Sequence, residues 1–339
     1  MSWLPNPSMW ARALTTVPRL SREEWDELDP LARWLIATRS AVFVMTAISC
    51  GVGGLLALRD GMFDSTSFAL CLVGLVFAHA TNNLINDLTD HLKGVDKDNY
   101  FRARYGPQPL EHGLLSMRQM ALYIFLTGAV AVFAGLLLVA MTGALTLSLF
   151  VAGALFVLFY TWPLKYYGLG EPAVIAVWGP LMIGGTYHVV SGGAWSWDVV
   201  LISLVYALGP TTVLFGKHTD KLEQDEARNI RTLPVLLGEA RSRAANIVMW
   251  WAQYVGVALL VWTGALGWPL MLVLLSLRSF VRATEAYQSR RPRERPEAFP
   301  ESAWPLYLSA YAFVHNRKFS SLFLAGLVLD VLLRRWLAG

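Results

Sequence analysis

Thr66-Ser-Phe-Ala-Leu-Cys71-Leu-Val-Gly-Leu-Val-Phe-Ala-His-Ala-Thr-Asn-Asn83-Leu-Ile-Asn86-Asp87-Leu-Thr-Asp90-His-Leu-Lys93-Gly94-Val-Asp96 is the stretch that decides the reading of this chain. Residues 66–86 are predominantly apolar, and a bilayer core of about 30 Å needs ~20 such residues in a helix. The run then passes into amides and carboxylates. Asn83, Asp87 and Asp90 stand at i, i+4 and i+7, so a continued helix puts all three on one face, with Asn86 at its edge. Asn83 precedes the helix end, and a polar amide at that depth faces the bundle interior. Gly94 marks the stop, because glycine is the usual residue just past a helix end. Mg²⁺ prefers oxygen ligands and is commonly held by one or two carboxylates together with phosphates and water. Asp87 and Asp90 fit that role.

The rest of the chain has the same character. Hydrophobic residues make up 55% of it and charged residues 15%, against roughly 25% charged in soluble domains, and mean hydropathy is +0.45. Windows long enough to span lie near 38–58, 66–86, 118–139, 141–160, 172–191, 197–216, 244–264, 266–283 and 316–334. The runs are long, continuous and rich in Leu, Ala, Val and Gly, unlike the ~10-residue alternating segments of a β-barrel. The expectation is an all-α, multi-pass bundle of about nine transmembrane helices embedded in the lipid bilayer. Residues 1–37 are polar and mixed in charge, lack the apolar core of a secretory signal, and read as a cytosolic or interfacial lead-in to a membrane domain over 38–339. Trp3, Trp10 and Trp25 are its candidate interface anchors. Ala303–Val314 reads as an interfacial helix stopped by His315-Asn316-Arg317-Lys318, and the Arg- and Pro-rich stretch from Arg290 to Pro300 as a mobile connection.

Alternate loops differ in charge. Stretches 1–37, 87–117, 161–171, 217–243 and 284–303 hold most of the Lys and Arg, whereas the loops near 59–65, 140, 192–196 and 265 carry almost only Arg59. The positive-inside rule places the basic loops, and with them the acidic residues, on the cytoplasmic side of the cell membrane. Arg334 and Arg335 run against this for an odd number of spans. The formal charge of +4 reports topology; no basic groove with interleaved aromatics points to nucleic acid. Cys50 and Cys71 lie inside apolar windows and read as packing residues.

A second acidic cluster, Asp220, Glu223 and Asp225, closes the sixth window on the same side. On a helix, His218, Lys221 and Asp225 share one face, and Lys217, Asp220 and Glu223 share another about 140° away. Two carboxylate clusters at one membrane surface point to a metal-assisted diphosphate site. A transporter would place its polar groups near the midplane on broken helices, and a purely structural membrane protein has no reason to gather carboxylates at two helix exits.

The string from Asn83 to Asp96, Gly106-Pro107 and Gly113 after it, Tyr160-Thr-Trp-Pro163-Leu-Lys165, Gly170-Glu171-Pro172, Gly179-Pro180, and Asp225 through Arg231-Thr232-Leu233 to Gly238 together resemble the UbiA superfamily of membrane prenyltransferases. The Lys93-Gly94-Val95-Asp96 continuation is most similar to the 1,4-dihydroxy-2-naphthoate polyprenyltransferases of menaquinone synthesis. The resemblance implies nine helices around a central cavity. It implies Mg²⁺ held by Asp87, Asp90, Asp96, Asp220, Glu223 and Asp225 with a prenyl diphosphate, and Asn83, Asn86, Lys93, Arg102 and Arg104 near that substrate. Lys165 is a candidate for the diphosphate, and Tyr160, ahead of Trp178 and Tyr187, for shielding an allylic cation through its ring face. An electron-rich carbon of an aromatic acceptor would then attack. The same acidic clusters would serve a terpene cyclase of the superfamily, in which the cation is trapped by its own double bonds.

The second motif departs from the family's pattern. Aligned through Asp225 and Thr232, the upstream Asp falls on Lys221 and a usual Asn pair on Lys217-His218, while Asn229 and Ile230 replace Gly and Lys. Two readings follow: a local bulge brings Asp220 or Glu223 round beside Asp225, the preferred one since Mg²⁺ needs oxygen ligands, or Lys221 and His218 meet diphosphate oxygens directly.

Overall fold

The computed structural model describes residues 4–18, 20–95, 97, 101, 108–301 and 303–338. Among these it is helical throughout, with one isolated bridge between Tyr167 and Arg231. Three short helices lead in: α1 (Pro7–Thr15), α2 (Arg22–Asp26) and α3 (Pro30–Ala37). The bundle follows as α4 (Phe43–Arg59), α5 (Ser65–Leu92), α6 (Met117–Thr142), α7 (Ala144–Phe159), α8 (Gly170–Ala176), a π-helical turn Val177–Gly184, α9 (Gly185–Val190), α10 (Trp197–Asp220), α11 (Leu222–Ala227), α12 (Leu233–Leu237), α13 (Glu239–Trp262), a 3-10 segment Trp268–Ser276, α14 (Leu277–Gln288) and α15 (Tyr307–Ala338). Among the described residues six helices are long and apolar enough to cross a membrane: Ser40–Arg59, α5, α6, Gly170–Val190, α10 and α13; α7 is apolar but shorter.

The helix ends follow local chemistry. Ser116 and Gln119 close a capping box at the start of α6. α5 stops where glycine was expected: Gly94 has φ 65° and its N–H bonds to the His91 carbonyl at 2.9 Å, while Val95 N–H reaches the Asp90 carbonyl at 2.8 Å. Pro180 lies inside the π-helical turn, where its missing N–H removes one intrahelical hydrogen bond. Gly179 lets that turn approach α10, since a Cβ there would sit 3.0 Å from the Ser203 carbonyl oxygen.

The main core gathers Ile183, Ile202, Trp250, Tyr287, Phe319 and Phe323 from the π-helical turn, α10, α13, α14 and α15. A second core ties the lead-in helices to the C-terminal part of α5 and the start of α6 through Trp25, Ile36, Leu84, Leu115 and Met120. α6 instead presents Phe125, Leu126, Phe133 and Leu136 outward, a continuous apolar surface suited to lipid. Exposed Trp197, Trp262, Trp268 and Trp336 lie where α10 begins and where α13 and α15 end, the bundle end opposite the acidic clusters. Such rings mark a membrane–water interface.

Two expectations about the C-terminal third are corrected. Ala303–Val314 is not a separate interfacial helix, because α15 runs unbroken from Tyr307. The helix carries His315-Asn316-Arg317-Lys318 by splitting it: His315 and Asn316 are buried, the former with its Nδ1 3.2 Å from Ser279 Oγ, and Arg317 and Lys318 are exposed. Nor is the 290–300 connection a loose tether. Arg291 donates to the Pro305 carbonyl at 2.9 Å, its own N–H reaches Glu239 Oε1 at 2.9 Å, and its guanidinium lies over the Phe101 and Trp304 rings. Arg334, anomalous by loop charge, is neutralised by Asp330 one turn earlier at 3.0 Å.

Candidate active site

The last two turns of α5 place Asp87 and Asp90 on one buried face, as their spacing requires, with 2% and 6% of their surface exposed. Each meets a cation from another element. Arg39, in the left-handed turn between α3 and the first span (φ 57°), lies 3.1 Å from Asp87 Oδ1. Lys165, from the 3-10 turn after α7, donates to Asp90 at 3.1 and 3.4 Å. The amides around them fix backbone: Asn83 Nδ2 donates to the Thr38 carbonyl at 2.8 Å, Arg39 returns a bond to the Asn83 carbonyl at 3.0 Å, and Asn86 Nδ2 donates to Thr161 Oγ1 at 3.0 Å. Asn83 and Asn86 thus hold the turns that deliver Arg39 and Lys165.

Lys93 is exposed, with its ammonium 5.1 Å from the centroids of both Trp162 and Tyr166; Lys165 faces the same Tyr166 ring at 5.8 Å. Tyr160 is half-buried and its carbonyl accepts the Lys165 backbone N–H at 3.0 Å. Trp178 stacks edge-on against His79 at 5.7 Å. Tyr187 does not join them. Its hydroxyl donates to Asp60 at 2.9 Å at the opposite end of the bundle. Asp96, Arg102 and Arg104 lie outside the described residues.

The second cluster converges on the first by a route the wheel only half anticipates. α10 ends at Asp220, Lys221 turns out of helical geometry with φ −103° and ψ 10°, and α11 restarts at Leu222. Lys221 Nζ lies 3.0 Å from Asp225 Oδ1, both side chains buried. Asp225 Oδ2 is buried and without a hydrogen bond among the described residues. Lys217, grouped with Asp220 on the wheel, instead feels the charges of Lys221, Lys165, Arg39 and Asp225. It stands one turn from Lys221, and a long side chain closes the remaining angle. Arg228 links the two loops through the Lys97 carbonyl at 3.4 Å.

The expected bulge exists, yet it does not bring a carboxylate to Asp225. Asp220 Oδ1 and Oδ2 accept the Leu308 and Ser309 backbone N–H groups, each at 2.9 Å, and Arg291 approaches Oδ1 at 3.2 Å. Its oxygens satisfy donors at the start of α15, which have no partner inside the helix. Glu223 is exposed on the outer side of α11. His218 also turns elsewhere: its Nδ1 lies 2.5 Å from Glu171 Oε1, and Glu171 Oε2 accepts the Leu233 N–H at 3.3 Å. That buried pair fastens α8, α10 and the start of α12 together behind the site.

Sequence reasoning passed over Arg39, Lys217 and the Glu171–His218 pair. A lone Arg just inside the first apolar window was the available signal for Arg39. Glu171 stood in a quoted motif without a role, and nothing local shows that it would meet a residue 47 positions away.

The UbiA prenyltransferase family model matches residues 46–328. A 1,4-dihydroxy-2-naphthoate octaprenyltransferase of Haemophilus influenzae is 25% identical over 253 residues, covering 68% of this chain and 77% of that one. The apo structure of a UbiA homolog from Aeropyrum pernix K1 superposes with a TM-score of 0.63 at 19% identity, covering 84% of this chain and 97% of the other. A UbiA homolog from Archaeoglobus fulgidus bound to GPP and Mg²⁺ does so at 0.54 and 17%, covering 86% and 98%. With most of its length matched by the family model and its fold shared with these neighbours, this chain belongs to the UbiA prenyltransferase family, and it is a membrane prenyltransferase.

Proposed function

We propose that this chain transfers a prenyl group from a polyprenyl diphosphate to an aromatic quinone precursor such as 1,4-dihydroxy-2-naphthoate, within a bundle of nine spans whose acidic end faces the cytoplasm. The count takes α7, the Trp268–Gln288 pair of helices and α15 as further spans. The observation that carries the reading is the pairing of buried Asp87 and Asp90 with Arg39 and Lys165 at one end of the bundle. The naphthoate acceptor rests on the Haemophilus influenzae relative, and the prenyl diphosphate with Mg²⁺ on the Archaeoglobus fulgidus neighbour.

The residues fit Mg²⁺ at the first cluster. Asp87 and Asp90 are two buried carboxylates on adjacent turns. Among the described residues no group of three or more His, Cys, Asp or Glu side chains could hold an ion alone, so diphosphate oxygens and water would complete the shell, the usual arrangement for this ion. When bound, Mg²⁺ neutralises charge on the diphosphate. Arg39, Lys165 and Lys217 meet the negative charge that grows on the departing diphosphate as the allylic C–O bond breaks, and burial strengthens that interaction. Lys93, with Arg102 and Arg104 beyond the described residues, draws the anion to the mouth. Tyr160 offers its ring to the allylic cation, which the electron-rich acceptor carbon then attacks. The second cluster contributes Asp225 alone as a carboxylate, while Asp220 and Glu223 stand outside the site.

The test is diphosphate release by purified protein with Mg²⁺ and a polyprenyl diphosphate. Asp87→Asn and Asp90→Asn are each expected to lower kcat at least ~100-fold, as loss of a transition-state charge contact does, and retained turnover in either would remove its assigned role.

A further inference from the structure

We infer that the Asp225 half of this site holds no divalent ion, and that Lys221, with Lys217 beside it, occupies that place and binds diphosphate oxygens directly. The inference rests on the prenyl-diphosphate reading above and concerns how this chain holds that substrate.

Three observations carry it. First, among the described residues the carboxylates nearest Asp225 in the chain or the fold are committed elsewhere: Asp220 to Leu308, Ser309 and Arg291, and Glu171 to His218 and Leu233; Glu223 is exposed. Second, a buried ammonium already sits on Asp225, 3.0 Å from Oδ1. Asp87 and Asp90 carry cations of their own at 3.1 Å but stand together as two carboxylates on adjacent turns; Asp225 has no second carboxylate beside it among the described residues, so a divalent ion there would meet the Lys221 charge with one acid alone to offset it. Third, among the described residues each acid is already matched by a base. Against the carboxylates of Asp87, Asp90 and Asp225 stand Arg39, Lys165 and Lys221, with Lys93 at the Tyr166 ring. A site that needed two divalent ions to attract a diphosphate would carry an excess of acid before they arrived. These residues carry none, and a lysine ammonium is a compact point charge well suited to a phosphate oxygen.

The experiment counts ions. Purified full-length protein is saturated with an allylic thiolodiphosphate, in which a bridging sulfur prevents cleavage, and bound Mn²⁺ is counted by electron paramagnetic resonance beside calorimetric binding of the analogue. One Mn²⁺ per chain is expected in the wild type and two in Lys221→Asp. Lys221→Met, which keeps the volume and removes the charge, is expected to weaken binding of the analogue in EDTA about tenfold or more, the size of a charged hydrogen bond. Two ions in the wild type, one in Lys221→Asp, or unchanged ion-free affinity in Lys221→Met would each overturn the inference. If the wild type bound no analogue at all, the prenyl-diphosphate reading itself would fall, a result distinct from a wrong ion count.

Discussion

Asp220 and Leu308, 88 residues apart, are joined by a 2.9 Å hydrogen bond from the Leu308 backbone N–H to the Asp220 carboxylate, with Ser309 N–H on the other oxygen at the same distance. A residue whose sequence neighbourhood marks it as a metal ligand therefore anchors the first turn of the last helix. Position along the chain places an acid near a site; the partner it finds in space decides its work.

Asp220 and Asp225 should consequently separate on mutation. Asp220→Ala strips the start of α15 of its acceptor and leaves Arg291 with a lost partner, so a stability loss of about 2–4 kcal/mol is expected, read as a lower thermal midpoint in detergent with analogue affinity little changed in the folded fraction. Asp225→Asn should do the reverse, weakening analogue binding with a smaller stability effect. Equal loss of affinity in both would return Asp220 to the site.

Glu171 and His218 form a buried contact that also holds the Leu233 N–H. Glu171→Gln, His218→Asn and the double variant should show a coupling of about 1–3 kcal/mol in unfolding free energy. Additive effects would show that the pair is adjacent without being coupled.

The lead-in helices should release in acid. Burial pushes the Asp29 carboxyl up, but donors from Ala32 N–H, Trp10 Nε1–H, Asn6 N–H and Leu31 N–H outweigh it and hold the group below its ordinary value. A depressed folded-state pKa gives a contribution fully present above the unfolded value near 3.9 and lost as pH falls through the folded value. Limited acid proteolysis should cut residues 4–28 in a window below about pH 4, and Asp29→Ala should show the same cleavage at neutral pH. Equal resistance in both would contradict this docking.

The fold was legible because a membrane helix writes its length into composition: α5, α6, α10 and α13 lie within a few residues of the apolar windows. The shared face of Asp87 and Asp90 followed from helical period, and the stop at Gly94 from the preference for glycine just past a helix end. What escaped depended on contacts between distant segments. His315 and Asn316 look like a stop in one dimension and are a buried stripe in three. Arg39 becomes part of the site only because Asn83 holds its turn. Asp220 could not be separated from Asp225 without knowing where the start of α15 lies.

The central claim is that the allylic carbon passes to an aromatic acceptor, and product analysis tests it most directly. Purified protein with Mg²⁺ and a polyprenyl diphosphate is incubated with and without 1,4-dihydroxy-2-naphthoate, and the organic extract is resolved by mass spectrometry. The account requires a prenylated naphthoate-derived product that forms only with acceptor and disappears in Asp87→Asn. Cyclic hydrocarbons or alcohols formed without acceptor, in an Asp87-dependent manner, would contradict it and assign the chain to cyclisation.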